Sequence, residues 1–298
     1  MKKLIALLVI SLTALVITPA SANTQKTLVI IDSGINTELD WVKRSLVEEV
    51  CIIEYGTCPN GQKFMTGPGA AHVRYQDVKH SAMHHGSQMY SVAVQVDPNV
   101  RVVFIRIVGM SAKGFANSYT MRSVQQAMEW VDANAARLNV GAVSLSIGRS
   151  YTEVGCPIEA SFQSVVQKLS SAGIAVIASA GNGGNKLKVD YPACTPEVIS
   201  VGATDVRYSM RGVTGWVTPV MPSSNGGPDL DLYAHGRWTT QDLTGRKLLT
   251  LGTSNAAVAV ATKTTQSLSQ GGTLASLTQN LGKAYLSLKE TVDKLFLI

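Results

Sequence analysis

The chain has 298 residues, 45% of them hydrophobic and 15% charged, with a formal net charge of +6 at pH 7. That length buries a sizeable core in one large α/β domain or two small ones. Lys and Arg are scattered instead of forming a stripe and only 6% of residues are aromatic, so the charges read as a solvated surface and nucleic-acid binding is excluded as an expectation.

In chain order, residues 1–22 read as an export signal: Lys2 and Lys3, an apolar run over residues 4–18, then Pro19-Ala20-Ser21-Ala22 as a small-x-small cleavage site. The run of about 15 residues falls short of the ~20 that a spanning helix needs. A mature domain of residues 23–298 is therefore expected, with export to a periplasm or the medium and no membrane association after cleavage. Its four cysteines, Cys51, Cys58, Cys156 and Cys194, suggest two disulfides, and sequence alone leaves three connectivities open. A zinc site is the rival reading, but Cys-x6-Cys without clustered His lacks the usual spacing.

Residues 27–31 form a β-branched run ending at Asp32, as expected of a central parallel strand that delivers a side chain at its carboxyl end. Residues 102–108, 141–147 and 174–177 read likewise. Met121, Val124, Met128, Val131, Ala135 and Leu138 recur at spacings of three and four, which predicts one buried helix face. Phe162, Val165, Val166 and Leu169 predict a second, ending near Gly173. A helix opens at Ser254 and runs to about Thr265, and residues 281–297 predict a further helix packed on the outside. Alternating strands and helices imply a parallel sheet with right-handed crossovers.

Three short motifs carry reactive side chains among small residues: Ile31-Asp32-Ser33-Gly34, His85-Gly86-Ser87 and Gly252-Thr253-Ser254. A serine hydroxyl is a weak nucleophile, so it needs an imidazole to take its proton and a carboxylate to hold that imidazole in the useful tautomer. Ser254 at a helix start gains from free backbone amides and local positive potential. Asn182, in Ala180-Gly181-Asn182-Gly183 after a buried strand, is placed to aim an amide at a developing oxyanion. His84 adjoins His85, but only His85 is followed by Gly-Ser; His84 is expected at the rim, and His72, His80 and His235 need no catalytic role.

The order Asp32, His85, Asn182, Ser254 resembles the subtilisin-like serine proteases. Val143-Ser144-Leu145-Ser146-Ile147-Gly148 looks like the family strand whose backbone pairs with substrate, which implies substrate contacts for Ser146, Ile147 and Gly148. The segments Tyr191-Pro192, residues 198–203, 223–226 and 231–236 extend the resemblance over about residues 27–261. It implies a three-layer α/β fold with a mostly parallel central sheet flanked by helices. It also implies a secreted endopeptidase acting on protein or peptide through an acyl-enzyme; a monomer without cofactor is expected, and no acidic loop is dense enough to suggest a metal site. The family layout brings the loops of Cys156 and Cys194 together beside the substrate pocket, which favours the pairs Cys51–Cys58 and Cys156–Cys194. Asp190 stands where the family often has a small residue at the pocket base; a carboxylate there would favour Lys or Arg before the scissile bond, the alternative being a solvated acid paired with Lys186 or Lys188.

Several positions depart from the family pattern. Asn255-Ala256-Ala257-Val258 replaces Met-Ala-x-Pro after the serine, and Tyr90 and Ser91 stand where Ala and Gly are usual after the histidine. Only nine residues, 23–31, lie between the expected cleavage point and Asp32, so no family-length pro-segment is expected, nor the N-terminal piece that contributes to calcium sites in some relatives. Glu38 and Asp40 read as surface residues of a turn. The competing reading is a catalytically silent binding protein on the same scaffold.

Overall fold

A computed structural model describes residues 25–79, 81–111, 113, 116, 119–205 and 219–276. The expected signal segment 1–22, His80 and the expected helix 281–297 lie outside the described residues. The first strand, β1 (Thr27–Asp32), is buried along its whole length. Its side chains alternate between two cores, Val29 and Ile31 joining one and Leu28 and Ile30 the other. A strand covered on both faces has to be apolar throughout, which is why it reads as a continuous run.

After β1 come a short helix α1 (Asp40–Lys43), β2 (Leu46–Ile52), β3 (Phe64–Thr66), α2 (His85–Val96), β4 (Arg101–Arg106), α3 (Met121–Leu138), β5 (Val140–Leu145), α4 (Ala160–Ser171), β6 (Ala175–Ser179) and β7 (Val198–Thr204). Strands β8 (Leu232–His235), β9 (Arg237–Gln241) and β10 (Lys247–Leu251) lead into α5 (Thr253–Ser269). Eight strands form one sheet in the order β3-β2-β4-β1-β5-β6-β7-β8, parallel except for β3, which is antiparallel to β2; β9 and β10 form a separate antiparallel pair. Helices α3 and α4 contribute Val124, Met128, Phe162 and Leu169 to the core on one face. Helices α2 and α5 contribute Met89, Tyr90, Ala257 and Ala261 to the core on the other. The three-layer α/β architecture is as expected.

Local chemistry explains the element ends. Thr120 caps α3 by accepting from the Ser123 amide, and Asn139 closes it in the left-handed conformation that Asn tolerates. The strand expected over 102–108 stops at Arg106, where the Arg106 Nε turns back to donate to the Val108 carbonyl. Helix α5 runs four residues past the expected Thr265, and the hydroxyls of Thr262, Thr265 and Ser269 each bond a carbonyl four residues earlier.

The departures from the family pattern find partners. Tyr90 is fully buried, with its hydroxyl shared with Ser45 and donating to the Val42 carbonyl, and its ring edge-on to Trp41. Ser91 accepts from the Gln241 amide, tying α2 to β9. Asn255 donates to the Gly236 carbonyl and the Thr250 hydroxyl, tying α5 to the β8–β10 region. Both disulfides are formed as expected, Cys51–Cys58 and Cys156–Cys194. Glu38 and Asp40 are exposed, Asp40 facing Lys43 at 3.6 Å. Among the described residues no helix is long and apolar enough to cross a membrane.

Candidate active site

The carboxyl ends of the central strands gather the predicted residues at one edge of the sheet, the usual place for a site in such folds. Asp32 ends β1, 1% exposed. His85 opens α2, whose approach to β1 requires Gly86: a Cβ there would lie 2.4 Å from the Gly34 carbonyl oxygen and 2.8 Å from Phe104. Ser33 fixes the junction, accepting from the Gly86 amide at 2.9 Å and donating to the Met83 carbonyl at 3.2 Å.

His85 Nδ1 lies 2.8 and 2.9 Å from the two Asp32 carboxylate oxygens. With Nδ1–H donating there, Nε2 is the basic nitrogen. Burial pulls the His85 pKa down, but the Asp32 charge and hydrogen bond outweigh it, and the net value lies above the ordinary 6.5. His84 lies against a different partner: it accepts from the Leu243 amide at 3.3 Å and lies 3.9 Å from Asp242. Its ring, partly exposed, ties the start of α2 to the turn after β9.

Ser254 sits in the first turn of α5. Its hydroxyl donates to the Ser146 carbonyl at 3.5 Å, and the Ser146 hydroxyl donates to the Ser254 carbonyl at 3.0 Å. Among the described residues the Ser254 hydroxyl has no hydrogen bond to His85. The two nevertheless line one cleft of about 450 Å³, together with Asp32, Asn182, Ser146, Ile147, Gly148, Tyr119 and Asp190. Catalytic hydrogen bonds are commonly loose before substrate binds.

Asn182 follows β6. Its side-chain carbonyl accepts from the Thr253 amide at 3.0 Å and the Thr253 hydroxyl at 3.2 Å, which leaves its NH2 end as the free donor. Gly252 makes room for this: its φ is +145°, and a Cβ would lie 3.0 Å from the Asn182 oxygen. Thr253 also accepts from the Gly181 amide at 3.2 Å. Thr253 was visible in the sequence only as part of the serine motif, yet it orients the asparagine.

Asp190 lies half-buried in the cleft wall and accepts from Asn225 Nδ2 at 3.1 Å. Burial raises its pKa, against the lowering effect of the Asn225 bond and of Lys188. The alternative pairing with Lys186 or Lys188 is not formed: Lys186 donates to the carbonyls of Met221, Pro222 and Ser224, and Lys188 to that of Tyr151 while lying 4.1 Å above its ring. The Cys156–Cys194 bridge links the loop after β5 to the loop that carries Asp190. A larger cavity of about 760 Å³, lined by Arg74, Lys79 and Arg106, contains none of these side chains.

A carboxylate-bound imidazole, a serine at a helix start and an oriented amide, gathered where parallel strands end, define the class of serine hydrolases as the comparison for this cleft. The chain belongs to the subtilase family, whose model matches residues 24–286. It is 24% identical over 251 residues to subtilisin DY of Bacillus licheniformis, covering 80% of this chain and 85% of that protein. It is 33% identical over 132 residues to subtilisin-like protease 2 of Trichophyton equinum, 43% of this chain and 27% of the other. The chain spans about a third of the length of the first curated relatives it matches. Among solved structures, a cold adapted subtilisin-like serine proteinase aligns with TM-score 0.60 and 22% identity over 89% of this chain and 84% of that one. An S41 psychrophilic protease aligns with TM-score 0.66 and 16% identity over 87% and 82%.

Proposed function

We propose that the chain is an exported serine endopeptidase using Asp32, His85 and Ser254. As the hydroxyl of Ser254 attacks the scissile carbonyl carbon, His85 Nε2 takes its proton, and Asp32 stabilises the resulting imidazolium through Nδ1–H. The oxyanion is met by the Asn182 NH2 and the Ser254 backbone N–H. His85 returns the proton to the amine as the C–N bond breaks, then deprotonates the water that hydrolyses the acyl-enzyme. Asp190, freed of any lysine salt bridge and held by Asn225, favours Arg or Lys before the scissile bond.

The observation that carries this reading is the Asp32–His85 pairing at 2.8 Å in the cleft that also holds Ser254 and Asn182. Export is supported by two disulfides, and the protein is taken to act as a monomer. One observation favours the silent-scaffold alternative, the bond of the Ser254 hydroxyl to Ser146 instead of His85. Peptide-ester hydrolysis by the purified chain separates the two. Turnover that falls about a million-fold in Ser254→Ala and in His85→Ala supports the enzyme; absence of turnover in the folded wild type supports the scaffold.

A further inference from the structure

Backbone N–H and C=O of one residue in an extended segment point to the same side, and those of the next residue to the opposite side. Just after β5, Arg149 exchanges both its hydrogen bonds with Tyr191, at 2.8 and 3.1 Å. Gly148 therefore directs its N–H and C=O the other way, as does Ser146, whose carbonyl accepts from the Ser254 hydroxyl. Residues 146–148 thus present a strand edge to the cleft beside the nucleophile. A peptide added to such an edge takes both groups of a residue at once.

At Gly148 both groups are already taken by one atom. The Tyr119 hydroxyl accepts from the Gly148 amide at 3.0 Å and donates to the Gly148 carbonyl at 2.6 Å. The phenol does there what one residue of a paired strand would do. Tyr119 is half-buried against the core and lines the cleft. The residue after it, Thr120, is fixed as the cap of α3, accepting from Ser123 and donating to Glu54. That cap holds the start of α3 independently of the bonds that Tyr119 makes to Gly148.

We infer that the Tyr119 hydroxyl is a cap on the peptide-docking edge, displaced by substrates long enough to pair with Gly148 and left in place by short ones. This rests on the proposed docking of peptide along residues 146–148. Tyr119 is accordingly a specificity residue that sets a threshold of substrate length. Two neutral hydrogen bonds are exchanged for two others, so the net cost of displacement is modest. Removing the hydroxyl removes that cost for long peptides only.

The test is calorimetric binding of an uncleaved hexapeptide and of a dipeptide to Ser254→Ala and to Ser254→Ala/Tyr119→Phe, a background that makes the result independent of turnover. The expected result is about tenfold tighter hexapeptide binding in the double variant, equivalent to about 1.4 kcal/mol, with dipeptide binding changed less than twofold. Equal tightening of both peptides, unchanged or weaker hexapeptide binding, or no hexapeptide binding by either variant overturns the cap. Ester turnover by the wild type is read separately: a chain that binds as expected but hydrolyses nothing keeps the cap and loses the endopeptidase.

Discussion

Replacing Asn182 by Ala removes its NH2 donor from the cleft, and with it the acceptor of the Thr253 amide and hydroxyl, while the side chains of Asp32, His85 and Ser254 are retained. The amide is oriented by its acceptor end, held by the Thr253 amide at 3.0 Å and hydroxyl at 3.2 Å, which leaves its NH2 free for the oxyanion of the proposed mechanism. Losing a donor used only in the transition state lowers kcat without changing KM. Deleting one oxyanion donor in a subtilisin costs about 2.7–4 kcal/mol, or about a hundred- to a thousand-fold in kcat. The same loss is expected here in steady-state kinetics on a peptide ester. Thr253→Val tests the orientation itself, since it keeps the backbone bond to Asn182 and deletes the hydroxyl one. A smaller loss, about tenfold, is expected from the one hydrogen bond removed. Thr253→Val also strips the Gly181 amide of its acceptor, with an expected stability loss of about 1–3 kcal/mol in a thermal or denaturant melt. A KM that rises in Asn182→Ala while kcat holds would refute the oxyanion assignment and make Asn182 a ground-state binding residue.

Three further outcomes are expected. The rate requires neutral His85, whose pKa is raised, so kcat/KM should fall with decreasing pH around a midpoint above 6.5; Asp32→Asn removes both raising effects and should shift that limb to lower pH, a shift that kinetics across pH 5–9 would show or exclude. Asp190→Asn should erase a preference for Arg over Phe before the scissile bond, measured as a ratio of specificity constants in which the His85 titration cancels; in the wild type that ratio should drop as pH falls through a value above the ordinary 3.8, since burial raises the Asp190 pKa, and a ratio untouched by the substitution sinks the assignment. Opening Cys156–Cys194, with 38 residues of separation, should cost about 4 kcal/mol by chain entropy against about 2 kcal/mol for Cys51–Cys58, with a separation of 7; equal losses in denaturant melts of the paired Cys→Ser variants would contradict that ordering.

The strands that carry the site were legible because they are buried on both faces. Residues 28–31 and 174–177 are continuous apolar runs for that reason. Strands β9 and β10 lie outside the main sheet, and their mixed, half-exposed residues give no such run. Helix α5 continues to Ser269, beyond the expected Thr265, and the hydroxyls of Thr262 and Thr265 bond carbonyls four residues earlier within it. The reactive side chains stand in short motifs and were found individually. Their supports were not: Asn225 lies 35 positions from Asp190, and Tyr119 meets Gly148 across 29. Such partners are set by how β5, β6 and α3 pack, which no local spacing encodes.

In the proposed mechanism Ser254 is a nucleophile activated by His85. Incubating the folded chain with an organophosphate serine reagent and mapping the adduct by mass spectrometry tests it most directly. One adduct is expected, on Ser254, and it is lost in His85→Ala. An unmodified Ser254 in folded protein, or labelling that persists in His85→Ala, would contradict it.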